Sequence, residues 1–208
     1  GSDARSTDVS VRARSDTNIL AVVNPTTHRI LLVNTPRDYY VPLARNGQMD
    51  KLTHAGIYGI EESIATLENL YGVNVSYFAR INFYGLKDIV DAVGGIDVVS
   101  PKTFTLSTNA CSKSGNVDRE VVEGINHMDG AKALAFARER YGFADGDNQR
   151  GKNQMAILQA LTAKLTKASS LVNYQSILSA VSNNMTTNLA YDDITALVRT
   201  QLTNMSEW

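Results

Sequence analysis

The stretch TNILAVVNPTTHRILLVNTPRD, residues 17–38, decides the fold. Thr17–Val23 and His28–Asn34 are apolar, β-branched runs of strand length, and Asn24-Pro25-Thr26-Thr27 between them supplies turn chemistry. That combination predicts an antiparallel hairpin. Continuous apolar runs of this kind suit strands covered on both faces. The second run ends at Pro36-Arg37-Asp38, so charged groups stand where a strand leaves its sheet, the place where α/β proteins put ligands. In an in-register hairpin the start of the first strand lies beside the end of the second. Arg14-Ser15-Asp16 and Arg37-Asp38 are therefore neighbours on one sheet edge.

Outward from the hairpin, residues 1–17 are polar and charged and read as a surface loop. Tyr39–Lys51 reads as a loop broken by Pro42 and Asn46-Gly47. Ile60, Ile64, Leu67 and Tyr71 recur at helical spacing, which predicts a helix over Ile60–Tyr71 ended by Gly72. Asn74–Ile81 alternates as a strand does. Tyr84–Val93 reads as a second helix closed by Gly94-Gly95, and Ile96–Val99 as a short strand. Lys102–Asn126 has the least pattern and reads as an excursion. Asp129–Ala137 is Ala-rich with an acidic start, hence a helix. Tyr141–Gln149 is a Gly/Asp/Asn loop, and Asp147 is placed to cap a long helix over Arg150–Ala168. Two more amphipathic helices follow, near Tyr174–Asn183 and Asp192–Thr203. The order β-β-α-β-α-β-α-α-α-α predicts an α/β protein, a sheet layered with helices.

Composition sets the bounds. The chain has 208 residues, enough for one domain or one with a small subdomain, and 43% hydrophobic residues give it a core. Lys+Arg 20 against Asp+Glu 21 leaves a net charge of −1, which argues against a nucleic-acid binder. Cys111 is the one cysteine, so neither an intramolecular disulfide nor a Cys-rich zinc site is available. His28, His54 and His127 fit no metal-binding spacing. No apolar run approaches the roughly 20 residues of a transmembrane helix. The opening Gly1-Ser2-Asp3-Ala4-Arg5 has no apolar signal-peptide segment. There is no nucleotide phosphate loop and no dinucleotide fingerprint, so a nucleotide is not the obvious phosphate donor.

Chemistry gathers at three places: Arg14-Ser15-Asp16, Arg37-Asp38, and Arg138, Arg140, Asp147 and Arg150 around the 141–149 loop. In a helix the side chains of Arg138 and Arg140 would diverge by about 200°. In extended chain they share a face. A common target for the two therefore requires the helix to end near Ala137. Arg150 and Gln154 stand one helical turn apart on one face, with Asp147 a turn before Arg150. Several arginines with a few aspartates suit phosphate chemistry. Guanidinium groups neutralise and orient phosphate oxygens. One or two carboxylates hold Mg²⁺, and the ensemble stabilises charge developing on a transferring phosphoryl group.

These residues, in order, resemble the LytR-CpsA-Psr family, and most of all its streptococcal capsule-locus members. The matching strings are Arg14-Ser15-Asp16-Thr17, Pro36-Arg37-Asp38, Phe83 to Val98 with Gly94-Gly95-Ile96-Asp97-Val98, Gly130 to Arg140, and Asp147-Asn148-Gln149-Arg150 with Gln154. The resemblance implies a three-layer α/β/α domain over residues 1–208, with a central mixed sheet and an apolar channel for a polyprenyl tail. It implies an N-terminal membrane anchor outside this chain and a domain on the outer face of the cell membrane. The implied activity is a Mg²⁺-assisted phosphotransferase that moves a capsular polysaccharide or teichoic acid from an undecaprenyl-pyrophosphate carrier to peptidoglycan as a phosphodiester. A hydrolase of the lipid pyrophosphate, or a non-catalytic binder of lipid-linked polymer that regulates capsule synthesis, is the alternative. Carried over by motif, Arg37, Arg138 and Arg140 clamp the pyrophosphate, and Asp3 and Asp16 hold Mg²⁺. Arg14 and Arg150 act in or near the same site, Asp147 and Gln154 complete it, and Lys51 matches a basic position loosely. Asp16 or Asp38 would be the general base. The sequence departs from the family pattern at Thr53, where asparagine is usual. It departs again at Asn153-Gln154, where an Arg-Gln pair is usual, and at Gly56 and Gly59, where the family has a double glycine.

Overall fold

Strands β1 (Asn18–Asn24) and β2 (Arg29–Thr35) pair antiparallel from Asn18↔Thr35 to Asn24↔Arg29. The computed structural model describes residues 12–24, 26–27, 29–143, 146–165, 179, 184–190 and 192–193, with only the backbone at 147. Asn24 makes the turn, its Oδ1 accepting from the N–H groups of Thr26 and Thr27 at 3.0 Å each. The hairpin is the one expected, but cover on both faces does not reach its far end, where Val22, Val23 and Leu31 are exposed. A run of apolar residues reports strand propensity and not what lies over it.

Residues 39–51 are more than a loop. Strands β3 (Tyr40–Pro42) and β4 (Met49–Lys51) form a second hairpin that buries Val41. Three-residue strands are too short to leave a periodic signature. Helix α1 (Leu52–Tyr58) follows at once, burying Leu52 and Ala55. Helix α2 (Ile60–Tyr71) has the expected bounds and ends on Gly72, whose φ of 65° is the left-handed conformation glycine adopts without strain. Its buried residues are Ser63 and Thr66, while Ile60, Ile64 and Leu67 stay half-buried and Tyr71 is exposed. Of the alternating Asn74–Ile81 run, only β5 (Ala79–Ile81) is strand.

A second region starts with α3 (Phe83–Ala92), closed by Gly94 and Gly95 at φ 75° and 81°. Strand β6 (Ile96–Ser100) comes next. The excursion then carries β7 (Phe104–Thr105), α4 (Thr108–Cys111), β8 (Glu120–Val121) and β9 (Gly124–Met128). Strands β6 and β9 pair antiparallel and alternate strictly, turning Ile96, Val98 and Met128 inward. Strands β7 and β8 form a short ladder. Helix α5 (Gly130–Arg138) is the hub, packed against α3, α4 and α6 (Asp147–Leu165). Asp129 caps it, accepting from Lys132 N–H at 2.7 Å, and Leu134 and Phe136 are buried. Helix α6 begins at Asp147 itself, with Arg150 N–H donating to Gly146 O at 3.2 Å, so the start falls before the expected Arg150. The helices expected at 174–183 and 192–203, and the end of the one at 150–168, lie outside the described residues.

Strand β10 (Met185–Thr187) returns to pair with β5. The chain divides into two compact units, Gly1–Asn82 with Met185–Trp208, and Phe83–Asn184. The α/β class stands. The strands among the described residues form five antiparallel two-stranded ladders and not the single mixed sheet expected. Three of the five pair neighbours in sequence, which antiparallel geometry allows without a long crossover. Among the described residues no helix is long and apolar enough to cross a membrane.

The α3–α5 packing admits a direct test. A Cβ at Gly130 would strike the backbone carbonyl of Lys87, and Gly130 N–H already donates to Asp91 Oδ1 at 2.7 Å. Gly130→Ala is expected to destabilise the protein by about 1–3 kcal/mol, read as a lower urea midpoint at unchanged slope.

Candidate functional site

The hairpin register delivers the first cluster. Because Asn18 faces Thr35, the residues just outside the ladder, Asp16 and Arg37, meet: Arg37 Nη1 donates to Asp16 Oδ1 at 2.8 Å. Arg37 Nε stands 3.3 Å from Asp38 Oδ2, and Lys51 Nζ donates to Asp38 Oδ1 at 2.9 Å. Arg37 and Asp16 are both largely buried, with side chains 22% and 18% exposed. The start of α1 holds the backbone beneath. Thr53 N–H donates to Arg37 O at 2.8 Å, Leu52 N–H to Tyr39 O at 2.8 Å, and Ser15 N–H to Thr53 O at 3.1 Å. Gly56 explains the close fit: a Cβ there would lie 2.6 Å from Ala13 O and 2.7 Å from Ser15 N. The network continues from Lys51 N–H to Asp50 Oδ1 at 2.7 Å, with His54 Nδ1 2.8 Å from the same oxygen. Those two contacts hold the Asp50 carboxyl below the usual carboxylate range. Arg14 is exposed, and Asp3 lies outside the described residues.

The second cluster lies in the other unit. Helix α5 ends at Arg138, and Glu139 at φ −67°, ψ 134° is extended, as a common target for Arg138 and Arg140 requires. Arg138 Nη1 donates to Ala110 O at 2.7 Å, and its guanidinium lies 5.0 Å from the centre of the Phe83 ring. Arg140 Nη2 donates to Tyr141 Oη at 3.0 Å. That bond and the arginine's charge hold the Tyr141 phenol below its ordinary range. Gln154 Nε2 reaches Ala137 O at 3.4 Å, which ties α6 to the end of α5. Arg150, half-buried, stands one turn before Gln154 on the same helix. Asp147 opens that helix.

Four residues that the sequence does not mark as members of the site belong to these clusters. Asn153 stands where the family pattern has a cation, yet it is buried, donates to Phe136 O at 3.1 Å and accepts from Gln149 Nε2 at 2.9 Å. Asp50 and His54 left no signal beyond an i,i+4 spacing. Glu139 is fully buried between two arginines and accepts from the N–H groups of Ser107, Arg140, Tyr141 and Gly142. A signal for it existed: in extended chain, if 138 and 140 share one face, 139 takes the other. Among the described residues no three His, Cys, Asp or Glu side chains gather as a metal-binding group.

An α/β protein that holds Arg37 and Lys51 among carboxylates in one unit and carries Arg138, Arg140 and Arg150 in the other has the groups that suit anions, phosphates above all. The match of the LytR_cpsA_psr family model to residues 1–207 agrees, and the chain belongs to that family. It is 38% identical over 184 residues to an Enterococcus faecalis protein named polyisoprenyl-teichoic acid–peptidoglycan teichoic acid transferase TagU, covering 88% of this chain and 57% of that protein. It is 36% identical over 195 residues to a Bacillus anthracis protein of the same name, covering 93% of this chain and 60% of that one. The chain thus spans somewhat over half the length of these relatives. Among solved structures it is similar to the Streptococcus agalactiae protein gbs0355, with TM-score 0.78, 34% identity, and 91% and 66% of the two chains covered. It is also similar to TagT bound to LI-WTA, with TM-score 0.75, 28% identity, and 97% and 71% covered.

Glu139 gives the molecule an acid-sensitive point. Burial pushes its carboxyl up, but the backbone N–H groups of Ser107, Gly142 and Tyr141 outweigh that and leave it below the usual glutamate range. The folded state therefore holds the proton less tightly than the unfolded state. The stabilisation is full above the ordinary glutamate value and is lost as pH falls through the lowered one. In urea titrations across that window, Glu139→Gln is expected to show a shallower loss of stability with acid than the parent.

Proposed function

We propose that this chain, acting as one domain over residues 1–208, transfers a glycopolymer from an undecaprenyl-pyrophosphate carrier to peptidoglycan as a phosphodiester. It works at the outer face of the cell membrane, with Mg²⁺. One observation carries the reading: a largely buried guanidinium, Arg37, is fixed between two carboxylates at the end of a strand, in a chain whose relatives are named teichoic acid transferases.

In this reading Arg37, Arg138 and Arg140 grip the pyrophosphate, whose paired oxygens match the fork of a guanidinium. Lys51, Arg14 and Arg150 add positive charge, while Asp147 and Gln154 complete the binding surface. Asp38, engaged by both Arg37 and Lys51, keeps these two cations oriented. The donor set suits magnesium, which takes hard oxygen ligands and needs only one or two carboxylates beside substrate phosphates. Asp16 and, by the family motif, Asp3 would hold the ion, which when bound would supply further neutralisation of phosphate charge. The acceptor hydroxyl oxygen bonds to the glycan-side phosphorus, and the bridging P–O bond breaks. Polyprenyl phosphate leaves with the electron pair, and the hydroxyl proton passes to a carboxylate of the Arg37 cluster, Asp16 or Asp38. Arginines fixed in advance stabilise the charge on the departing phosphate without reorganising during the step. The half-buried Ile60, Ile64 and Leu67 of α2 leave some apolar surface open, which supports an apolar path for the isoprenoid.

The test uses labelled lipid-linked polymer with peptidoglycan. The parent protein is expected to form polymer joined through a phosphodiester, and Arg37→Ala and Arg138→Ala to lower the rate by about 100-fold or more. Parent-level transfer by both variants would end the proposal. Free phosphate as the product would mark a hydrolase instead. Chelation is expected to slow transfer and added Mg²⁺ to restore it; indifference to chelator removes the ion from the reaction.

A further inference from the structure

Glu139 has no solvent exposure although both its sequence neighbours are arginines of the proposed site. Its Oε1 accepts from Arg140 N–H at 2.8 Å, Tyr141 N–H at 2.7 Å and Gly142 N–H at 3.1 Å. Its Oε2 accepts from Ser107 N–H. The first three donors belong to the loop that carries Arg140. The fourth belongs to the excursion, at the residue that caps α4. Helix α4 closes the circuit: Ala110 N–H donates to Ser107 Oγ at 3.2 Å, and Ala110 O accepts from Arg138 Nη1 at 2.7 Å. Arg138 Nη2 also lies 3.5 Å from Ser112 Oγ. From the other side Lys102 Nζ donates to Gly142 O and lies 4.3 Å from the centre of the Phe143 ring. Phe104 packs edge-on against Phe143, with ring centres 4.8 Å apart.

We propose that Glu139 is a positioning residue that locks residues 104–112 of the excursion onto the end of α5, at Arg138, and onto the loop bearing Arg140, and so fixes the direction of both guanidinium groups. The excursion is then a frame for substrate-binding arginines. This inference rests on the reading of Arg138 and Arg140 as pyrophosphate ligands. An arginine side chain has many rotamers, and holding it in one of them before substrate arrives spares that entropy on binding. The circuit does so at both ends, through the backbone of 140–142 and through the carbonyl that receives the head of Arg138. A neutral residue at 139 would not suffice. In Glu139→Gln the amide oxygen can take the three loop N–H groups, but the NH₂ then faces the Ser107 N–H, donor against donor.

The experiment measures KM for the lipid-linked donor and kcat in the parent and in E139Q, S107A, S107P and R138A, with folding followed by urea titration. Ser107 sits at φ −67°, which proline adopts without strain, so S107P removes the N–H that Glu139 receives along with the hydroxyl cap. S107A removes the cap alone. Expected are a donor KM raised on the order of tenfold in E139Q at a nearly unchanged kcat, and a KM higher in S107P than in S107A. If Glu139 merely holds the fold together, E139Q loses urea resistance and yield while its folded fraction keeps the parent KM. Folded E139Q with parent KM, beside a raised KM in R138A, overturns the inference. Should E139Q not fold, equal KM values for S107P and S107A overturn it instead. An R138A protein with parent KM and kcat sinks the reading of Arg138 as a pyrophosphate ligand and this inference with it, a pattern distinct from the other two.

Discussion

A carboxylate removed from water has to be met by donors, and the Phe83–Asn184 unit is organised around one that is. Charge burial is costly enough that an unpaired glutamate would sooner take a proton than stay ionised. Glu139 escapes that by receiving four backbone N–H groups, three from the loop after α5 and one from the cap of α4. Each side satisfies the other. The consequence is mechanical: the C-terminal end of α5, the loop after it and the cap of α4 cannot move apart without stranding a charge.

The Gly1–Asn82 unit solves the opposite problem, a guanidinium of which little reaches solvent. Here the solution comes from strand register. A shift of one residue between β1 and β2 would turn alternate side chains to the other face and part Asp16 from Arg37. The start of α1 guards against that from below, because its first N–H groups are spent on the carbonyls of Arg37 and Tyr39. Helix N-termini need such acceptors, and strand ends have carbonyls to offer. One set of hydrogen bonds thus ends a strand, begins a helix and aims an arginine.

What could be read from the sequence followed from how far each signal extends along the chain. The β1–β2 hairpin, α2, α3 and α5 have seven or more residues of consistent pattern, and the helices have a bound where Gly72 and Gly94 end a helix and Asp129 begins one. The meeting of Asp16 with Arg37 followed from the hairpin alone. Strands β3, β4, β7 and β8 have two or three residues each and carry no period. Each pairs only with the equally short strand that follows or precedes it, β3 with β4 and β7 with β8. The single mixed sheet was an inference from family likeness, and the described strands pair more locally than that. The buried role of Glu139 was hidden because a charged residue between two others reads as surface, and only the extended backbone after α5 turns it inward.

Asn153 shows how a departure from a family pattern can be structural in origin. A cation at this position would have to leave the interior, since the side chain there is buried and bonded to Phe136 O and Gln149. A neutral amide both donates and accepts, so it satisfies the last turn of α5 and a neighbour on its own helix together. Helix α6 therefore divides its polar residues by depth. Gln149 and Asn153 serve the interior and seat the end of α5, while Arg150 and Gln154, on the next face round, stay partly open. The end of α5 is where Arg138 begins. A residue that stands where the family pattern has a cation is thus part of what holds the end of α5, and with it Arg138, in place.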